Sequence, residues 1–137
     1  MKKKVLIDTN VLFSIFLFPN KNMNEVKYRL SNYYKLIISS YVVNELYDIV
    51  KRKFPERECD IDEFLKTLPH KFYASKQEYN ERKHPEIRDI DDRQVLVDAI
   101  YSGAHLLLTG DKDILSVDMK KRKKPIALKP AQFLDRY

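Results

Sequence analysis

The chain alternates short unbroken apolar runs with longer stretches in which apolar residues recur every three or four positions. Val5-Leu6-Ile7 is one such run, and Leu36-Ile37-Ile38-Ser39 and His105-Leu106-Leu107-Leu108-Thr109 repeat it. A run without alternation marks a strand covered on both faces, the habit of a parallel sheet in an α/β protein. Lys71-Phe72-Tyr73-Ala74 predicts a further short strand. Between these runs the period is helical. Residues 11–18 are apolar apart from Ser14 and stop at Pro19-Asn20, which predicts a short buried helix. Asn22-Met23-Asn24-Glu25 has the form of a capping box for a helix over 25–34, with Val26 and Leu30 on one face. Val42, Leu46, Ile49 and Val50 form the stripe of a helix from Ser40 to about Phe54, ended by Pro55. Asp60-Ile61-Asp62-Glu63 opens a short helix closed by Pro69, and Val95, Leu96, Ala99 and Ile100 predict another that ends at Gly103, a C′ glycine. Residues 76–85 are polar and charged and are expected to form an exposed connection. Strand and helix therefore alternate from end to end, which predicts an α/β fold in one domain spanning 1–137.

Composition narrows the class. Of 137 residues 44% are hydrophobic and only two are glycine, so the chain can build a core and is not of the disordered type. A single cysteine, Cys59, allows no internal disulfide and fits a reducing compartment. No apolar run approaches the roughly 18 residues of a membrane span, and the segment after Met1-Lys2-Lys3-Lys4 turns acidic too soon for a signal peptide. The expected location is the cytoplasm. The formal charge is +6, concentrated in Lys120-Lys121-Arg122-Lys123-Lys124 and in Lys51-Arg52-Lys53. Such patches attract polyanions.

The candidate chemistry is acidic. Asp8 stands at the end of the first strand, where an α/β sheet opens into its ligand crevice. A cap for the following helix is the competing role there. Gly110-Asp111-Lys112-Asp113 repeats the arrangement after the strand ending at Thr109. Glu45 lies between Val42 and Leu46 in the first turns of its helix, and Asp89, Asp91 and Asp92 precede the helix that begins near Val95. If the sheet is parallel, Asp8 and Asp111 emerge at one edge, and Glu45 and Asp92 overhang it. Carboxylates so gathered repel by about 4 kcal/mol per close pair at an effective dielectric near 20. The cluster persists only when protonated or occupied by cations. Oxygen donors without His or Cys suit Mg²⁺ or Mn²⁺ rather than zinc. His70, His84 and His105 have no ligand spacing, and no glycine-rich phosphate loop is present.

These residues together resemble the PIN-domain family, nearest to its members described as toxins of toxin–antitoxin pairs. The likeness is carried by Val5 to Leu12, Glu45 in its helix, Arg88 to Asp92, Gly103-Ala104, Thr109 to Leu115 and the closing Pro130-Ala131-Gln132-Phe133-Leu134. It runs over nearly the whole chain and rests on the order and spacing of these pieces. It implies a three-layer α/β/α sandwich with a central, mostly parallel sheet, and metal-dependent ribonuclease activity. By position the family's acidic quartet falls on Asp8, Glu45, Asp92 and Asp111. Asp92 is preferred for the third place because it stands seven residues before Ala99, as the family spacing requires. Asn10 matches the family's small polar residue beside the first acid, and Asp113 an accessory acid. The resemblance further implies a homodimer and an antitoxin protein that binds across the active-site groove.

Phosphodiester hydrolysis needs a nucleophilic water, a Lewis acid and stabilisation of the leaving oxyanion, which divalent ions on a carboxylate scaffold supply. Lys120, Lys121, Arg122 and Lys123 are the expected contacts to the RNA backbone. Tyr33, Tyr34, Tyr41 and Tyr47 are candidates for base stacking, and Tyr28, Tyr33, Tyr34 and Leu36 for a self-association surface. Two other classes compete. A Mg²⁺-dependent phosphatase of the haloacid-dehalogenase type would want a second Asp where Asn10 stands. A catalytically silent nucleic-acid-binding module would have no use for the acidic set.

Overall fold

A computed structural model describes residues 1–76, 79–80, 82–84, 87, 93–117 and 123–137. Five strands, β1 (Lys4–Ile7), β2 (Lys35–Ser39), β3 (Lys71–Tyr73), β4 (Leu106–Leu108) and β5 (Ile126–Leu128), form one sheet in the order β3-β2-β1-β4-β5. Every pairing is parallel, with Leu6 opposite Ile37 on one side of β1 and Leu107 on the other. Val5, Leu6 and Ile7 are all fully buried, so both faces of β1 are covered and the sheet is the middle of three layers. The α/β/α architecture expected from the sequence is the one observed. Successive strands step from β1 out to β3, then return across β1 to β4 and β5. The reversal between β1 and β4 is the switch point where parallel sheets leave a crevice at their carboxyl ends.

The helices are α1 (Thr9–Leu17), α2 (Lys21–Tyr33), α3 (Ser40–Lys53), α4 (Ile61–Thr67), α5 (Arg93–Tyr101), α6 (Lys112–Leu115) and α7 (Pro130–Arg136), with a 3₁₀ turn over Pro55–Asp60. Three begin on the residue after a strand or its cap. Asp8 caps α1, Ser39 caps α3 by accepting from the Val42 N–H at 3.2 Å, and Asp111 caps α6. Helix α2 starts four residues earlier than the capping-box pattern predicts, because Asn20 takes the cap and accepts from the Met23 N–H at 2.8 Å. Asn22 and Asn24 fall inside the helix. Strand β5 has only three residues and an exposed outer position at Ile126, too short a pattern to register in the sequence. The connection expected to be exposed over 76–85 is partly buried among its described residues: His84 packs its ring edge-on against Tyr101 at 5.6 Å.

Helix α7 returns the end of the chain onto α2. Phe133 is fully buried against Tyr34, their ring centroids 5.2 Å apart, and the Arg29 guanidinium donates to the Leu134 carbonyl at 2.8 Å. No helix among the described residues is long and apolar enough to cross a membrane. Phe133→Ala should cost about 3–5 kcal/mol in urea unfolding, whereas a loss below about 1 kcal/mol would make α7 peripheral to the core.

Candidate active site

Asp8 is both of the things its position allowed. Its Oδ1 accepts from the Thr9 N–H at 2.7 Å, opening α1 with no intervening loop. Its Oδ2 accepts from the Thr109 hydroxyl at 2.6 Å and from Asn10 Nδ2 at 3.3 Å. The carboxylate is 2% exposed and still lines a crevice of about 380 Å³, together with Thr9, Asn10, Phe13, Ser14, Glu45, Ile49 and Lys53. The backbone sets this up: Ile7 pairs with Leu108, and the Asp8 N–H donates to the Leu108 carbonyl at 2.8 Å.

Asp111 is tied to the same point. Its backbone N–H donates to the Thr109 hydroxyl at 3.0 Å, so one side chain bridges both acidic strand ends. Its own Oδ1 accepts from the N–H groups of Asp113 at 2.8 Å and Ile114 at 3.4 Å. Asn10 adds a second brace, its Oδ1 accepting from the Gly110 N–H at 3.0 Å. Glu45 reaches the crevice from α3, with Tyr41 donating to its Oε2 at 3.3 Å.

The electrostatics follow from this packing. Burial raises the Asp8 pKa above its ordinary 3.8, and the charges of Glu45 and Asp111 raise it further, while hydrogen bonds from Thr109 and Thr9 work in the opposite direction. Of the four predicted acids, Glu45 and Asp111 therefore both act on Asp8 at the carboxyl edge of β1 and β4. Asp92 lies outside the described residues, as do the competing Asp89 and Asp91. Asp113 is exposed and contributes its backbone N–H to Asp111. Of the basic run, Lys123 is described and exposed, and Lys120, Lys121 and Arg122 are not among the described residues. Lys53, from the second basic patch, forms part of the crevice wall.

The donor set is wholly oxygen, which fits a hard divalent ion. The Thr9 hydroxyl, at the crevice wall, is buried with no hydrogen-bond partner among the described residues. Among the described residues no three His, Cys, Asp or Glu side chains are close enough to enclose an ion by themselves.

The sequence reading missed two residues. Thr109 belongs to the motif at the end of its strand, and its bridging role depends on β1 lying beside β4. Asp98 stands in the apolar stripe of α5 and is fully buried; its carboxylate accepts from Ser75 at 2.6 Å and Gln94 at 2.8 Å. Burial raises its pKa, and hydrogen bonds from Ser75, Gln94 and Ser39 oppose that rise. An acid inside an otherwise apolar helical stripe was the available signal. The tyrosines divide: Tyr28 and Tyr33 are exposed and meet edge-on at 6.0 Å, whereas Tyr34 packs on Phe133 and Leu36 is buried in the sheet. The Tyr47 hydroxyl donates to Asp62, which pushes its pKa up to about 12 and occupies it outside the crevice.

Residues 4–113 match the PIN domain. The chain belongs to the PIN-domain family. Two solved structures share the fold of this PIN-domain chain. VapBC2 from Rickettsia felis, bound to a DNA fragment from their promoter, aligns at a TM-score of 0.70 and 19% identity, covering 92% of this chain and 98% of that one. DNA-bound VapBC from Salmonella typhimurium aligns at 0.64 and 17% identity, covering 95% and 99%. No curated protein matches the sequence.

The raised Asp8 pKa has a stability consequence of definite sign. A carboxyl whose folded pKa lies above its unfolded value holds its proton more tightly in the folded state. Stability is therefore lost as pH rises from the ordinary range near 3.8 through the folded value. Asp8→Asn, which keeps an acceptor for Thr9, should raise Tm in metal-free buffer at pH 7. Each kcal/mol of relieved strain is worth roughly 3–6 °C in a chain of this size, and the gap should close as pH falls toward 4. A variant melting below the parent at every pH would show that the lost hydrogen bonds outweigh the repulsion.

Proposed function

We propose that this PIN-domain protein is a metal-dependent endoribonuclease and the toxin of a toxin–antitoxin pair. The observation that carries the proposal is the convergence on Asp8. Asp111 from the neighbouring strand end and Glu45 from α3 both act on the buried Asp8 carboxylate at the sheet's switch point, with oxygen donors only. Asp8, Glu45 and Asp111 would hold Mg²⁺ or Mn²⁺, with Asp92 as the fourth acid. When bound, such ions supply Lewis-acid activation of the phosphoryl group and of water.

The chain's own residues orient and select. Thr109 and Asn10 fix the Asp8 carboxylate from the β4 side and from α1, so its free direction is the crevice. The Asp113 and Ile114 N–H groups, which donate to its Oδ1, hold the Asp111 carboxylate at the start of α6. Tyr41 steadies Glu45 on the opposite wall. Phe13 and Ile49 give the crevice an apolar side suited to a sugar or base, and Lys53 offers a cation to a flanking phosphate. Lys120, Lys121, Arg122 and Lys123 would hold the RNA backbone further out. The antitoxin assignment draws support from the two VapBC structures of the same fold, each described as bound to DNA. The exposed Tyr28–Tyr33 pair is the surface we assign to a homodimer.

Purified protein incubated with labelled single-stranded RNA should cut it with Mg²⁺ or Mn²⁺ and stop with EDTA. Asp8→Asn and Asp111→Asn should each lower the rate on the order of 10²-fold or more while remaining folded. Full activity in Asp8→Asn would sink the mechanism. Loss of activity in Asp91→Asn but not in Asp92→Asn would move the third acid to Asp91. RNA that is bound but never cut with either ion would return the chain to the binding-module class.

A further inference from the structure

A second cavity of the described structure lies away from the acids. It measures about 760 Å³ and is lined by residues from the amino ends of β1, β2 and β3 and from the end of α5. Each of these three strands begins with a lysine, Lys4, Lys35 or Lys71, and Lys4 pairs directly with Lys35 across β1 and β2. Lys2 extends the cluster at one end. Lys76, past the carboxyl end of β3, extends it at the other. No carboxylate lines the cavity among the described residues, and none of the five lysines makes an ion pair there. Phe72 on the edge strand β3 is 55% exposed, and Tyr101 at the end of α5 is 41% exposed; both line this space.

Five unpaired cations around exposed aromatic rings have an electrostatic cost that a polyanion relieves. A free phosphate would leave the rings unused, and a rigid duplex would not bring base faces to them. A single strand supplies both partners, phosphates for lysines and base faces for stacking. A second copy of the chain is disfavoured, because a two-fold contact would set this acid-free patch against itself. We propose that the cavity is a docking groove for single-stranded RNA, separate from the acidic crevice. The lining runs from Lys35 at the start of β2 and Lys71 at the start of the edge strand β3 to Lys76, so a bound strand would run along β3 toward the carboxyl edge where Asp8 lies. The choice of RNA over other single-stranded polyanions rests on the nuclease reading above.

The test is fluorescence anisotropy of a labelled 12-nucleotide single-stranded RNA in EDTA buffer, where no cleavage occurs. Lys35→Ser/Lys71→Ser should weaken binding at least tenfold and flatten the log–log salt dependence by about 1.4, at roughly 0.7 per lost contact. Phe72→Leu should weaken it roughly tenfold, and Phe72→Tyr should retain the parent's affinity, as stacking requires. These side chains are exposed, and an unchanged melting curve certifies each variant. Unchanged affinity in the double lysine variant would overturn the proposal. So would equal losses in Phe72→Leu and Phe72→Tyr, equal binding of the same sequence as a duplex, or a changed sedimentation mass in place of a changed affinity. Cleavage of a dinucleotide, too short to span crevice and groove, should be the same in the double lysine variant and the parent. Failure of the parent to cut RNA of any length would overturn the nuclease reading alone, since the anisotropy measurement is made without metal and decides the groove by itself.

Discussion

One hydroxyl joins the two strand ends from which the acids arise. Thr109 donates to Asp8 at 2.6 Å and accepts from the backbone N–H of Asp111 at 3.0 Å, and it does so from a fully buried position. This works only because β1 and β4 are parallel neighbours with Ile7 opposite Leu108. A slip of one residue would turn Asp8 to the other face of the sheet. The register is held by the apolar packing of the layers on both sides, so the position of the acids is a consequence of the core. The arrangement opposes the core energetically. A carboxylate 2% exposed, with two others acting on it, is retained at a cost to stability, and its raised pKa is the expression of that cost.

The sheet is electrically polar along its strands. Lysines open β1, β2 and β3, while Asp8 and Asp111 follow the ends of β1 and β4. Parallel strands make this segregation automatic, since every amino end lies on one edge and every carboxyl end on the other. The same separation keeps the strand-opening lysines away from the strand-end acids. Among the described residues one edge is suited to cations and the other to a polyanion. A nuclease of the kind proposed uses both.

Much of this was legible in the sequence, for reasons particular to certain residues. The unbroken runs at Val5–Ile7 and Leu106–Leu108 announce buried parallel strands, and an acid after each stands out against them. Glu45 was legible because its helix has a clear stripe that it interrupts. The pairing of β1 with β4 was not, since the strands are separated by two others in the chain; with it went the role of Thr109. Asp98 was overlooked because its partners Ser39, Ser75 and Gln94 come from three separate elements or loops. The lysines of the basic cavity come from the short run at 2–4 and from isolated positions 35, 71 and 76, which gather only when the strands align. The start of α2 was misplaced because three asparagines at 20, 22 and 24 offer the same cap, and only chain geometry after α1 selects Asn20.

The central proposal is that Asp8, Glu45 and Asp111, joined by Asp92, would hold a divalent ion on the β1–β4 register. Titration of Mn²⁺ into the protein, followed by loss of the free-ion electron paramagnetic resonance signal, tests it without reference to catalysis. The account predicts saturable binding that is competed by Mg²⁺ and lost in Asp111→Asn. No binding, or binding undiminished by that substitution, would contradict it.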